Sequence, residues 1–311
     1  MSEILLAPYR GYGTAHTLYL KGRVLRNKGS TDFPPDATAF DNLLASYRRL
    51  ESDEVPNVAV TASFAGQTWT TVSDSEGYFD FSIGPAQAVD TRQIWHEVKL
   101  VLADASLAQA TVASTGQILT PPPTAEFGII SDIDDTILVS HATSPFQAAL
   151  TAILNSAQTR APFPGVSAFY RALQTGPTGV DYNPFFYVSS SPWNFYDVLT
   201  EFMAINALPA GPLFLRDYGL QSLIERGHQQ HKLVYIDQLL TTYPALPFVL
   251  IGDSGQEDPE IYATVVARYP GRISVIYIRD VAGDERWRAV QQIGGEIQAA
   301  GVEFVALQGA K

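Results

Sequence analysis

The 311-residue chain is 46% hydrophobic and 17% charged, a balance that excludes a disordered or fibrous protein, and its length accommodates two domains of ordinary size. Its 20 Lys and Arg stand against 32 Asp and Glu, a net charge of -12, and no basic cluster could track a phosphate backbone, so no nucleic-acid partner is expected. The absence of cysteine removes disulfides, thiolate metal sites and cysteine nucleophiles, and no apolar run approaches the roughly 18 residues that span a bilayer.

The first apolar run, Ile4 to Ala7, is too short for a signal-peptide core, and the sequence reads as a cytoplasmic protein without a transmembrane segment. Short alternating or β-branched runs follow at Thr17 to Leu25, Val58 to Phe64, Thr68 to Val72, Tyr78 to Ile83 and Val98 to Ala103, separated by Gly, Pro, Asn and Asp clusters. That spacing predicts a small β-sandwich domain over 1–119. The polar stretch from Ser73 to Gly77 lies between two alternating runs and predicts a hairpin. One helix interrupts the strands: Phe40, Leu43, Leu44, Tyr47 and Leu50 share a face at 3.6-residue spacing, placed over an edge or open end of the sandwich.

Residues 120–126 contain three consecutive prolines, which fix φ and form a stiff extended linker, the expected domain boundary. From 127 to 311 apolar strands alternate with longer amphipathic stretches, the pattern of an α/β domain built on a doubly wound parallel sheet. Its predicted strands are Phe127 to Ile133, Phe185 to Ser189, Leu213 to Arg216, Phe248 to Ile251, Ile273 to Ile278 and Val302 to Leu307. Phe195, Leu199, Phe202 and Met203 mark one helix, and Leu233, Ile236, Leu239 and Leu240 another.

Ligands of such sheets bind beyond the carboxyl ends of the strands, where the chain places Asp132-Ile133-Asp134-Asp135-Thr136. Asp132 and Asp134, two residues apart on extended chain, point the same way. Two carboxylates that close repel unless a divalent cation lies between them or one holds a proton. Both conditions suit phosphoryl transfer, with one Asp attacking phosphorus, the other protonating the leaving oxygen, and Mg²⁺ on oxygen ligands. The plain reading is that Asp135 and Thr136 cap the next segment. Three further signals follow predicted strands in order. Ser189, Ser190 and Ser191 can donate to phosphoryl oxygens, although Ser191 and Pro192 also read as a helix N-cap and first helical position. Lys232 stands at a helix start, where a lysine reaches a nucleophile and a phosphate, or is simply a surface charge. Gly252-Asp253-Ser254-Gly255-Gln256-Glu257-Asp258 combines glycines for a tight turn with hard oxygen ligands for Mg²⁺. His228 and His231 lack a third ligand and read as exposed residues.

With these four segments, residues 127–285 resemble the haloacid-dehalogenase-like phosphohydrolases, and more narrowly the actin-patch-associated phosphatidate phosphatase family. The matching stretches are SDIDDTI at 131–137, FFYVSSSPWNFY at 185–196, LFLRDYGL at 213–220, HKLVYI at 231–236, GDSGQEDPEIY at 252–262 and YPGRISVIYIRDV at 269–281. The resemblance implies Asp132 as nucleophile, Asp134 as general acid/base, and Ser189 and Lys232 as holders of the phosphoryl oxygens. It implies Mg²⁺ bound by Asp132, the Asp134 backbone carbonyl, Asp253 and either Asp258 or Glu257. Thr136, Ser190 and Arg279 complete the expected phosphate and substrate contacts, with an Arg279–Asp280 ion pair as the competing reading. The hairpin SDSEGYFDF resembles the transthyretin-like or immunoglobulin-like sandwiches that accompany this phosphatase in bacterial chains.

About 50 residues separate Thr136 from Phe185, too few for a full lid domain, and an open site suits a phosphate on a lipid or a protein. Phosphatidate, hydrolysed to diacylglycerol at a membrane surface, is the substrate the resemblance implies. The acidic charge and the lack of a polybasic segment oppose membrane attraction. Phe146, Leu150, Ile153 and Leu154 make an apolar face within 145–158 for a small core-packed flap or a membrane contact. The alternatives are the same mechanism on a phosphoprotein or soluble ester, a degenerate non-catalytic binding protein, and a serine protease reading of Gly-Asp-Ser-Gly at Ser254. The last conflicts with the parallel-sheet context.

Overall fold

A computed structural model of the chain describes residues 4–26, 53–102, 112–134, 136–137, 165–179, 182–216 and 228–308. The helix expected around Phe40 to Leu50 and the apolar face within 145–158 lie outside the described residues. The chain divides into two compact units: Met1–Pro123 with Asn194–Glu201, and Thr124–Trp193 with Phe202–Lys311.

In the first unit β1 (Ile4–Pro8), β2 (Gly11–Gly13), β3 (Leu18–Arg26), β4 (Asp53–Glu54), β5 (Ala59–Phe64), β6 (Gln67–Val72), β7 (Tyr78–Ile83), β8 (Trp95–Leu102) and β9 (Ala113–Leu119) form one hydrogen-bonded mixed sheet. Its order is β1-β3-β2-β9-β8-β5-β6, with β4 and β7 also on β3. Alternation sets the faces: β8 turns Val98, Leu100 and Leu102 inward, where they meet Leu18, Leu20, Val60, Phe79 and Ile118. Each such burial contributes roughly 1.5–3 kcal/mol of transfer free energy.

The expected hairpin around Gly77 is corrected by the pairing. The turn is tight, with Asp74 Oδ1 accepting from the amides of Glu76 and Tyr78, and a Cβ at Gly77 would lie 2.5 Å from the Val24 carbonyl oxygen. Yet β6 pairs with β5, and β7 pairs with β3, so the turn links strands whose ladders lie elsewhere. A two-residue hairpin forms instead at β5–β6, closed by Ala65 and Gly66 at φ 47° and 76°, both left-handed as such a turn requires. Arg23 is buried in this unit with Nε on the Glu76 carbonyl at 2.8 Å, Nη2 on Glu54 at 3.0 Å and Nη1 on Asn194 at 2.6 Å. Its guanidinium lies 4.4 Å from the centre of the Tyr78 ring.

The second unit carries a six-stranded sheet of β10 (Gly128–Ser131), β11 (Phe185–Pro192), β12 (Leu213–Arg216), β13 (Phe248–Asp253), β14 (Ile273–Asp280) and β15 (Glu303–Gln308), in the order β12-β11-β10-β13-β14-β15. Every pairing is parallel. β10 and β13 are buried at every residue, as strands covered on both faces must be, and this explains the apolar runs Ile129–Ile130 and Phe248–Ile251 within them. The described helices are α1 (Val166–Thr175), α2 (Tyr196–Ile205), α3 (His228–Thr242), α4 (Asp258–Arg268) and α5 (Asp284–Ala299), of which α2 belongs to the first unit up to Glu201. Neighbours Phe185 and Phe186 point to opposite faces of β11: Tyr170 of α1 stacks on the first, and Tyr243, just after α3, packs on the second. The chain order reverses between β10 and β13, which places a crevice beyond their carboxyl ends.

One further expectation changes here. Strand β11 continues through Ser191 to Pro192, a 3₁₀ turn follows at Trp193–Phe195, and α2 begins only at Tyr196. Ser191 is therefore not a helix N-cap and Pro192 is not a first helical residue.

Candidate active site

Four parallel strands bring their carboxyl ends to one edge, and the chemistry-bearing side chains sit there. The Asp132 amide donates to the Ile251 carbonyl at 2.9 Å, extending the β10–β13 ladder, so Asp132 is fixed beside the end of β13, where Asp253 stands. Lys232, near the start of α3, is 3% exposed and places Nζ 2.8 Å from Asp132 Oδ1 and 2.5 Å from Asp258 Oδ1. Thr136 Oγ1 donates to Asp132 Oδ2 at 3.2 Å. Asp258 opens α4 and its Oδ2 accepts from the Asp253 amide at 3.2 Å, an approach that needs Gly252: a Cβ there would lie 2.5 Å from the same oxygen.

Asp132, Asp253 and Asp258 each offer an oxygen within 4.8 Å of the others, and all three are buried. Glu257 is exposed, so Asp258 is the acidic residue of this segment that joins the cluster. Asp253 Oδ1 accepts from the amides of Gly255 at 2.7 Å and Gln256 at 3.0 Å, whereas its Oδ2 is buried with no hydrogen-bond partner. A buried carboxylate oxygen left open beside two further carboxylates fits a hard divalent cation such as Mg²⁺.

Electrostatics agree with that geometry. Burial pushes the Asp132 carboxyl well above its usual range; Lys232 counters it, while Asp258, Asp134 and Asp253 add to it. Burial, then Asp258, pushes Asp253 up to about 7 against the lowering effect of Lys232 and the two amides. Burial by itself lowers the Lys232 pKa, but Asp132 and Asp258 outweigh it and hold the pKa above its ordinary value.

Asp134, also buried, turns to a different partner set. Ser189 Oγ donates to its Oδ2 at 2.6 Å and Ser191 Oγ to its Oδ1 at 3.3 Å, and the Ser191 amide donates to Ser189 Oγ at 2.9 Å. Ser191, not Ser190, is thus the second hydroxyl delivered to the Asp134 side, because alternate residues of an extended strand share a face. The period-two spacing of Ser189 and Ser191 is the sequence signal for this pairing, and the competing helix-cap reading of Ser191 obscures it. The Asp134 carboxylate stands outside the three-carboxylate cluster. Arg279 Nη1 donates to the Thr136 carbonyl at 3.3 Å, so its side chain reaches the Asp132 loop, and burial lowers it to about 10. Asp280 accepts from Ser254 at 3.4 Å and so serves a different loop.

Ser254 does not have the surroundings of a protease nucleophile. Its Oγ accepts from the amides of Val281 and Ala282, each at 3.0 Å, so both sides of the hydroxyl are engaged in tying the β13–α4 loop to the end of β14. His231 is half-buried and packs edge-on against Tyr235, a structural contact rather than an exposed position.

Residues 127–280 match the family model "Phosphatidate phosphatase APP1, catalytic domain". The match includes every site residue just described. Phosphatidate phosphatase APP1 of Saccharomyces cerevisiae is 34% identical over 154 residues, covering 49% of this chain and 25% of the yeast protein. An uncharacterized protein of Schizosaccharomyces pombe, C29B5.04c, is 34% identical over 163 residues, 50% of this chain and 25% of its own length. The chain thus spans about a quarter of the length of these curated relatives. Among solved structures, an immunoglobulin-like domain of the M. primoryensis ice-binding adhesin covers 39% of this chain and 98% of its own at 16% identity, with a TM-score of 0.22 that supports no assignment.

Proposed function

We propose that this chain is a Mg²⁺-dependent phosphoric monoester hydrolase of the haloacid-dehalogenase-like, doubly wound type, acting on phosphatidate through an aspartyl-phosphate on Asp132. The observation that carries the reading is the buried cluster of Asp132, Asp253 and Asp258 around Lys232, with the open Asp253 Oδ2, at the carboxyl edge of a parallel sheet. The match of residues 127–280 to the APP1 catalytic domain supports the substrate class. Packing of Tyr170 and Tyr243 on opposite faces of β11 supports helices on both sides of the sheet.

In the reaction, an Asp132 oxygen attacks the phosphorus, forming a P–O bond while the bond to the lipid oxygen breaks. Asp134 gives its proton to the departing oxygen, and diacylglycerol leaves. A water molecule then attacks the phosphorus of the aspartyl-phosphate, Asp134 takes the water proton, and inorganic phosphate leaves with the Asp132 carboxylate restored. Ser189 and Ser191 hold the Asp134 carboxyl at the angle seen here. Lys232 holds its charge between Asp132 and Asp258, where it neutralises the entering phosphate. Asp132, Asp253 and Asp258, with the Asp134 carbonyl, would hold Mg²⁺, which supplies positive charge against the phosphoryl oxygens. No helix among the described residues is long and apolar enough to cross a membrane. We take the protein to meet phosphatidate from the cytoplasm, peripherally.

The test is phosphate release, with and without Mg²⁺, from phosphatidate vesicles, a phosphopeptide and soluble sugar phosphates, using Asp132→Asn as the blank. The expected result is Mg²⁺-dependent release from the vesicles that Asp132→Asn reduces to background. Release confined to sugar phosphates overturns the lipid reading, and an unchanged rate in Asp132→Asn overturns the nucleophile.

A further inference from the structure

The loop from Asp253 to Asp258 contains Gly255, and a glycine-bearing loop does not by itself hold a carboxylate in one orientation. Arg286, in the first turn of α5 and outside the segment shared with the APP1 catalytic domain, reaches back to this loop. Its Nε donates to the Ser254 carbonyl at 3.0 Å and its Nη2 to the Gln256 carbonyl at 2.6 Å. The guanidinium is aimed by Glu260 of α4, which accepts from Nη1 at 2.5 Å and Nη2 at 2.8 Å, a bidentate pair.

Peptide planarity gives those contacts their consequence. The Ser254 carbonyl and the Gly255 amide are two ends of one rigid trans unit, so holding the oxygen fixes where the N–H points. It points at Asp253 Oδ1, 2.7 Å away. The Gln256 amide, 3.0 Å from the same oxygen, belongs to the next unit, which lies between the two carbonyls Arg286 holds. With Oδ1 taken by two amides, Oδ2 is the oxygen left for the cluster with Asp132 and Asp258. The Arg286–Glu260 pair is partly exposed, and such a pair contributes little stability on its own. Its two backbone contacts give it a different task.

We propose that Arg286 is a positioning residue for the divalent-cation site, acting through the Ser254–Gly255 peptide to orient the Asp253 carboxylate. The inference rests on the metal reading given above. Mn²⁺ binding to the full chain, followed by electron paramagnetic resonance, separates the two. Wild type should bind Mn²⁺ and Asp253→Asn should lose it. Arg286→Ala should weaken binding about tenfold to a hundredfold, the range in which partners of metal ligands act. Arg286→Lys keeps the charge but not the planar fork, and should weaken binding by a similar factor. If both Arg286 variants bind as wild type does while Asp253→Asn does not, the metal reading stands and the role of Arg286 is wrong. If wild type binds no Mn²⁺, both fall. Should Arg286→Ala fail to fold, Arg286→Lys and Glu260→Gln decide, each expected to bind more weakly with circular dichroism unchanged.

Discussion

Each unit buries a cation, and the surroundings differ. Arg23 in the first unit donates from all three guanidinium nitrogens, to Glu76, Glu54 and Asn194, and lies over the Tyr78 ring. Lys232 in the second lies between Asp132 and Asp258, while Asp134 and Asp253 come close enough to raise the Asp132 carboxyl, so four carboxylates confront one ammonium. One oxygen of that group, Asp253 Oδ2, is buried with no hydrogen-bond partner. Burial of a charge does not mark a functional site, because a folded chain can satisfy it locally. Excess charge of one sign together with an open polar atom does mark one.

Removing the cation from each cluster sharpens the contrast. Lys232→Met should cost about 3–5 kcal/mol in the presence of a chelator, since it leaves buried carboxylates uncompensated, and added Mg²⁺ should recover part of the loss. Urea unfolding with EDTA and with Mg²⁺ measures both. No recovery by Mg²⁺ would mean that the excess negative charge is not a cation site. Arg23→Met should cost less, about 2 kcal/mol for charge-assisted hydrogen bonds to partly hydrated partners, and Mg²⁺ should recover none of it. A Mg²⁺ effect there would erase the distinction between the two sites.

The smallest effect belongs to His96, a buried histidine of β8 whose Nε2 lies 2.9 Å from Thr120 Oγ1. Burial lowers its pKa from the ordinary 6.5, against the opposing pull of Asp90 and the Gln93 backbone. A lowered base favours the neutral form in the folded state, so the unfolded chain takes up the proton first. Its contribution is therefore complete above the ordinary value and is lost as pH falls below it. Urea midpoints measured from about pH 8 to about pH 5 should decline less in His96→Gln than in wild type. An identical decline would place the acid sensitivity elsewhere.

The sheet of the second unit was legible because strands buried on both faces are written as unbroken apolar runs, and because each run ends in a polar segment of distinct composition. Asp132, Asp253 and the pair Glu257 and Asp258 could be named from those segments, and the structure brings the carboxylates of Asp132, Asp253 and Asp258 together with Lys232. The first unit was less legible. β2 and β4 are three and two residues long, and β9, with the sequence ASTGQIL, shows little apolar alternation.

Sequence alone determined the strands that carry apolar or alternating runs and which residue types crowd the strand ends, since those depend on neighbours along the chain. Only tertiary structure decided that the Gly77 turn joins strands paired elsewhere, that Ser191 faces Asp134 with Ser189, and that Ser254 and Arg286 brace the Asp253 loop. Arg286 is 33 residues beyond Asp253, and nothing local to either residue records their connection. Strand pairing and side-chain reach are contacts between distant parts of the chain, so no local pattern encodes them until the sheet has assembled.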